Sequence, residues 1–120
     1  MLHRLAERLA DRLAARGMRS SAARCARIAL RLARGTPETL STLLEIARRL
    51  DDRPLAIEVS RRLVELDPGD VSTRGVLATL LLLQGDVDAA GDEAGRLRAL
   101  LPPGEPAPRV VRDSLLDPER

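Results

Sequence analysis

The sequence predicts an all-α fold of about six short helices arranged as three helix–turn–helix units. Three observations predict it. Leu and Ala, both good helix formers, dominate the apolar residues, while Val, Ile and Thr are sparse and no segment alternates apolar with polar. Apolar residues recur three or four apart, the spacing of one helical face. The breaks between helical stretches recur at an interval of 34 residues.

The elements follow in order. Leu2, Leu5, Leu9 and Leu13 define the expected apolar face of a first helix, which Gly17 stops. Ser20 or Ser21 is positioned to cap the second helix. Thr36-Pro37-Glu38 starts the third, with Thr36 as N-cap and Pro37 in the first turn. Asp51-Asp52-Arg53-Pro54 breaks the chain and opens the fourth helix. Asp67-Pro68-Gly69-Asp70 is a turn by composition, and Gly85-Asp86 is a further break within a pair. After Leu101 come four Pro within residues 102–108, which stop any helix and favour an extended linker. Beyond it Val110, Val111, Leu115 and Leu116 form a short apolar motif, expected to fold back over the last unit or reach into another subunit.

Shifting the chain by 34 residues aligns Gly17 with Asp51 and Gly85, and Pro68 with Pro102. It also aligns Leu9, Leu43 and Leu77; Ala22, Ala56 and Ala90; and Leu32, Leu66 and Leu100. One helix pair cannot bury its apolar faces alone, whereas a stack of three makes a continuous core. Small residues at the crossings let the helix backbones approach closely.

With this interval the sequence resembles the tetratricopeptide repeat family, whose unit is a 34-residue helix–turn–helix. The family's first-helix pattern falls on Ala6, Leu9, Ala10 and Leu13, then on Leu40, Leu43, Leu44 and Ala47, then on Arg74, Leu77, Ala78 and Leu81. The small residue opening the second helix matches Ala22, Ala56 and Ala90; the large residue one turn later is here Ala26, Ser60 and Ala94; the closing Pro is Arg34, Pro68 and Pro102. The family's aromatic residues are all replaced, and the first unit lacks its Pro. The resemblance implies a right-handed superhelical stack over residues 1–104, in units of about 3–36, 37–70 and 71–104, with a Pro-rich C-terminal tail over 105–120. It also implies a concave groove that binds peptides. That groove would present Arg4, Glu7 and Asp11, then Glu38, Ser41, Glu45, Arg48 and Arg49, then Ser72, Thr79, Leu82 and Leu83. Arg48 and Arg49 are suited to grip a carboxylate through forked hydrogen bonds.

Composition narrows the function. The 120 residues suit one domain, and all 20 basic residues are Arg. Phe, Tyr, Trp, Lys and Asn are absent, a pattern that fits a genome rich in G and C. The single cysteine, Cys25, excludes an internal disulfide and any multi-cysteine metal site, and is expected to be a small core residue. The one histidine, His3, sits at the terminus. No phosphate-binding loop or metal-ligand spacing appears, so no catalytic, cofactor or metal site is expected, and no small-molecule substrate. The longest apolar stretch, Val76 to Leu83, is far too short to span a bilayer, and no signal-type apolar run is seen, so the expected compartment is the cytoplasm.

Charge is unevenly spread: residues 1–34 carry a net +7, residues 35–70 a net −3, residues 71–104 a net −1 and the tail a net −1. Arg4, Arg8, Arg12 and Arg16 recur every four residues, a stripe expected to lie opposite the leucines. Three roles fit them: a solvated face, a docking face for an acidic protein surface or for the acidic second unit of a neighbouring copy, or a contact with nucleic acid or anionic lipid. Missing aromatic stacking residues weigh against nucleic acid. Leu80-Leu81-Leu82-Leu83 cannot all face one core, because successive helical residues turn by about 100°. Leu82 is expected to point nearly away from the core, and Leu83 part-way back. The expected role is therefore a protein–protein interaction scaffold or adaptor, as a small subunit of a larger assembly or self-associating. Its contacts would be Arg4, Arg8, Arg12, Arg48, Arg49, Leu82, Leu83, Val110, Val111, Leu115 and Leu116. The alternative is an accessory protein that binds nucleic acid or an anionic membrane surface through its Arg-rich N-terminal repeat.

Overall fold

A computed structural model of the chain describes residues 2–33 and 36–101. Among them are six α-helices and no strand: α1 Leu2–Ala15, α2 Arg19–Ala33, α3 Pro37–Arg49, α4 Arg53–Leu66, α5 Val71–Leu83 and α6 Val87–Leu100. The expected all-α class holds, and every helix boundary falls at a break legible in the sequence. None of these helices is long and apolar enough to cross a membrane. Val110, Val111, Leu115 and Leu116 lie outside the described residues.

The chain forms two compact units, Met1–Leu66 and Asp67–Arg120. In the first, α1 packs on α2 and α3 on α4, while α3 also lies against both α1 and α2. In the second, α5 packs on α6. Turns of three residues between packed helices make each pair antiparallel.

One turn geometry is used three times. Gly17, Asp51 and Gly85 have φ of 76°, 54° and 88°, and no other described residue has positive φ. At each, two amides close back on the preceding helix: Gly17 and Met18 donate to Ala14 and Leu13, Asp51 and Asp52 to Arg48 and Ala47, Gly85 and Asp86 to Leu82 and Leu81, at 2.9–3.1 Å. This is the Schellman closure, in which the left-handed residue lets two otherwise orphaned carbonyls find donors. Its three occurrences are spaced by the same 34 residues as the sequence pattern.

The following residue then starts the next helix. Asp86 accepts from the amide of Ala89 at 3.2 Å, and Asp52 from that of Leu55 at 3.2 Å. In the first pair Met18 holds that place, and Ala22 donates to its carbonyl. Ser20 and Ser21 therefore lie inside α2 and do not cap it. The closure at Gly17 leaves one residue before the helix, so the serines come too late. Thr36 is the N-cap of α3 by its backbone, but its hydroxyl donates back to Ala33 O at 2.9 Å. Asp70 caps α5, accepting from the amide of Thr73 at 3.1 Å and from its hydroxyl at 2.7 Å.

The interior is Leu and Ala. Ala22, Ala56 and Ala90, the aligned small residues, are all buried, as are Leu43 and Leu77. The first helix departs from expectation. Its buried side comprises Ala10, with Ala6, Leu13 and Ala14 half-buried, whereas Leu2, Leu5 and Leu9 are exposed. Alanine, which brings α1 close to α2, takes the core, and the longer leucines are left on the flank. Leu82 is half-buried and Leu83, at the end of α5, is 55 % exposed, reversing the expected order of the two. The turn at Gln84 and Gly85 begins directly after Leu83, so no further turn of helix screens it.

Candidate interaction surface

Of the expected site residues, Arg4, Arg8, Arg12, Arg48 and Arg49 lie in the first compact unit. Arg4, Arg8 and Arg12 are exposed on α1. Arg4 and Arg8, with Glu7, meet Glu38, Thr39 and Thr42 of α3 in a shallow cleft of about 230 Å³. Its lining carries both signs of charge, so it offers no single-sign cradle. Arg49 is occupied: its Nη2 lies 2.9 Å from Asp11 Oδ1, joining α3 to α1. Arg48 lies 3.6 Å from Glu45 one turn earlier on its own helix. Leu82 and Leu83 belong to the other compact unit.

Several arginines hold the first unit together. Arg19 Nη2 donates to Leu50 O at 3.1 Å, and Arg62 Nη1 to Leu30 O at 2.6 Å. Arg27 takes both carboxylate oxygens of Asp52, at 2.9 and 3.1 Å. Arginine suits these places because its planar fork can satisfy a carboxylate or a helix-end carbonyl with fixed geometry. The basic N-terminal charge is thus divided between internal ties and surface.

The surface share is organised by a feature that the sequence reading assigned to the core. Leu5 is 62 % exposed, yet Thr39, at the same place in the second pair, is 2 % exposed. Leu9 is 50 % exposed, and its counterpart Leu43 is 0 % exposed. Cys25 is half-buried where Val59 is buried, and Ile28 is exposed where Arg62 reaches across to α2. On α1, α3 lies on the side of Glu7 and Asp11, which is about 180° around the helix from Leu2, Leu5 and Leu9. On α2, the residues facing the second pair, Arg19, Ala23 and Arg27, lie opposite Cys25, Ile28 and Leu32. The two sets therefore point the same way, off the end of the unit. The antiparallel register about the Gly17 turn sets Leu5 level with Ile28, Leu9 with Cys25 and Leu2 with Leu32.

The result is an apolar end face with arginines around it. An i,i+4 repeat advances about 40° per step, so a row of four spirals through about 120°. Arg4 to Arg16 therefore do not run opposite the leucines: Arg12 and Arg16 arrive beside Leu5 and Leu9. Arg24 and Arg31 take the corresponding outer edge of α2. A signal for this face was present in the sequence. The first helix carries both a Leu row and an Ala row, more apolar width than one contact uses, and the second adds Ile28 and Leu32 one turn apart. Contiguous exposed apolar surface rimmed by charge marks an interaction site. In sequence comparisons, no family model matches the chain, and no match was found among curated proteins.

Proposed function

We propose that the chain is a tetratricopeptide-type array, three helix pairs of a right-handed superhelical stack, and that it serves as a protein-binding scaffold or adaptor rather than as an enzyme. The observation that carries this reading is the Leu2, Leu5, Leu9 and Ile28 face. It repeats the positions by which the second helix pair seats on the first, but no described residue covers it. Helix pairs with such a face gain by stacking, and burial of its leucines at about 25 cal/mol per Å² supplies the driving force. The surrounding guanidiniums favour an acidic rim on whatever docks there.

The test is covalent capture of partners, copies of the chain included, by the full-length protein and by Leu5→Glu/Leu9→Glu. The variant is expected to lose the captured proteins and keep its helicity. Recovery of the same set by both would overturn the reading. The exposed row Arg4, Arg8, Arg12 and Arg16 supports the alternative of a nucleic-acid or anionic-membrane contact. That mode predicts binding which survives the leucine substitutions and collapses steeply with salt.

A further inference from the structure

We infer that the occupant of the N-terminal apolar face is the α5–α6 pair of a second copy of this chain, stacked head to tail. The inference rests on the interaction reading above and names its partner. The first unit contains a worked example of the joint: α3–α4 seated on α1–α2. There the start of α2, through Arg19, Ser20 and Ala23, faces the α3–α4 turn at Leu50, Asp51, Asp52 and Pro54.

The 34-residue register translates that joint to the chain's two ends. The places of Arg19, Ser20 and Ala23 are taken in α6 by Val87, Asp88 and Gly91, and the places of Leu50, Asp52 and Pro54 by Arg16, Met18 and Ser20. The two arginine ties of the internal joint are not carried over: Val87 and Arg16 take the places of Arg19 and Leu50, and Gly95 and Met18 those of Arg27 and Asp52. What the translated joint offers instead is apolar surface: Val87, 62 % exposed, and Met18, 49 % exposed, take the places of Arg19 and Asp52, which line one cleft inside the unit. Asp88 falls beside Arg16, opposite in charge, and both are exposed. A Cβ at Gly91 would meet no atom within 4 Å, so the α6 surface there is open to a closely approaching helix.

The same face of a second copy is a poorer occupant. It would bring together the two copies' rims of Arg8, Arg12, Arg16, Arg24 and Arg31, and like charges brought together are costly. A head-to-tail joint is heterologous, so each copy keeps one free end and the stack grows until it closes or is blocked.

The experiment uses the full chain in analytical ultracentrifugation across a wide concentration range. Wild type is expected to show a weight-average mass that rises with concentration above that of one chain. Leu5→Glu/Leu9→Glu blocks one end and Val87→Glu the other, so each alone is expected to stay at single-chain mass. Mixed together, the two variants each retain one intact end and are expected to form a 1:1 complex of twice that mass that grows no further. Met18→Glu serves as an independent block of the first end should the double substitution lose helicity. Single-chain mass for wild type at every concentration overturns the inference, as does association of Val87→Glu equal to wild type. A monomeric wild type that still captures a different protein through Leu5 and Leu9 overturns the self-stack alone and leaves the scaffold reading standing.

Discussion

Arg74 Nη1 lies 2.8 Å from Glu93 Oε2, an ion pair buried between α5 and α6. Glu93 Oε1 also receives Arg96 Nη1 at 2.8 Å, and Arg74 Nη2 donates to Pro68 O at 3.0 Å, while Arg74 Nε has no partner. In the 34-residue register Arg74 stands where the other pairs have Ala6 and Leu40, and Glu93 where they have Cys25 and Val59. Two facing apolar positions have been replaced together by opposite charges.

Breaking that pair and replacing it should differ in sign. Glu93→Gln leaves the Arg74 guanidinium buried without its counter-charge, and is expected to cost about 3 kcal/mol or more. Arg74→Leu/Glu93→Val restores the residues used in the second pair and is expected to fall within about 1 kcal/mol of wild type, or above it. Urea unfolding of both variants checks this; a double variant as unstable as Glu93→Gln would contradict it.

Ser60 occupies the Ala26 and Ala94 position and is 0 % exposed, and its hydroxyl has no hydrogen-bond partner. A buried, unsatisfied hydroxyl carries a desolvation cost of about 1–3 kcal/mol. Ser60→Ala removes it without changing the helix spacing that alanine permits elsewhere. The expected outcome is a gain of about 1 kcal/mol, read from the shift in the urea midpoint.

Asp51 is the one non-glycine residue among the three left-handed turn positions. The conformation crowds a Cβ against the carbonyl that follows, at about 1–2 kcal/mol for an ordinary residue and less for Asp. Asp51→Gly is expected to raise Tm by a few degrees, the unfolded-chain entropy of glycine offsetting part of the relief. Gly17→Ala and Gly85→Ala are expected to lower the unfolding free energy by about 1 kcal/mol each. At both glycines a Cβ would meet nothing within 4 Å, so the loss would be a pure backbone effect. A destabilised Asp51→Gly would show that the Asp51 side chain contributes more than the turn strain.

Most of the architecture was legible because turn chemistry is local. Gly17, Asp51-Asp52, Asp67-Pro68-Gly69-Asp70 and Gly85-Asp86 announce helix ends by themselves, and their spacing announces the repeat. Depth was less legible. The leucines of α1 obey the same 3–4 spacing as a core face, but which of two apolar rows is buried depends on the approach of α2, and alanine allows the closer one. The charges misled for a related reason: Asp11 with Arg49, and Arg27 with Asp52, are far apart in sequence and pair only once the helices are stacked. Arg74 and Glu93 could have been found, since each breaks an apolar column and the two breaks are opposite in sign.

Asp52 combines two tasks that can be separated by substitution. Its Oδ1 accepts the amide of Leu55 at the start of α4, and both oxygens receive Arg27 from α2. Asp52→Asn keeps an acceptor for the cap and removes the charge; Asp52→Ala removes both. Loss of an N-cap costs about 0.5–2 kcal/mol. Because the Arg27 side chain is 39 % exposed, the ion pair is screened and is worth at most about 1 kcal/mol. Asp52→Ala is therefore expected to be the more damaging, with Asp52→Asn lying between it and wild type. The gap between Asp52→Asn and wild type should narrow as salt rises and the Debye length shortens. The gap between Asp52→Asn and Asp52→Ala should hold, because a neutral cap does not feel the salt. Thermal unfolding of the three proteins at low and high ionic strength reads both gaps. Equal losses in the two variants would place the whole contribution of Asp52 in its charge.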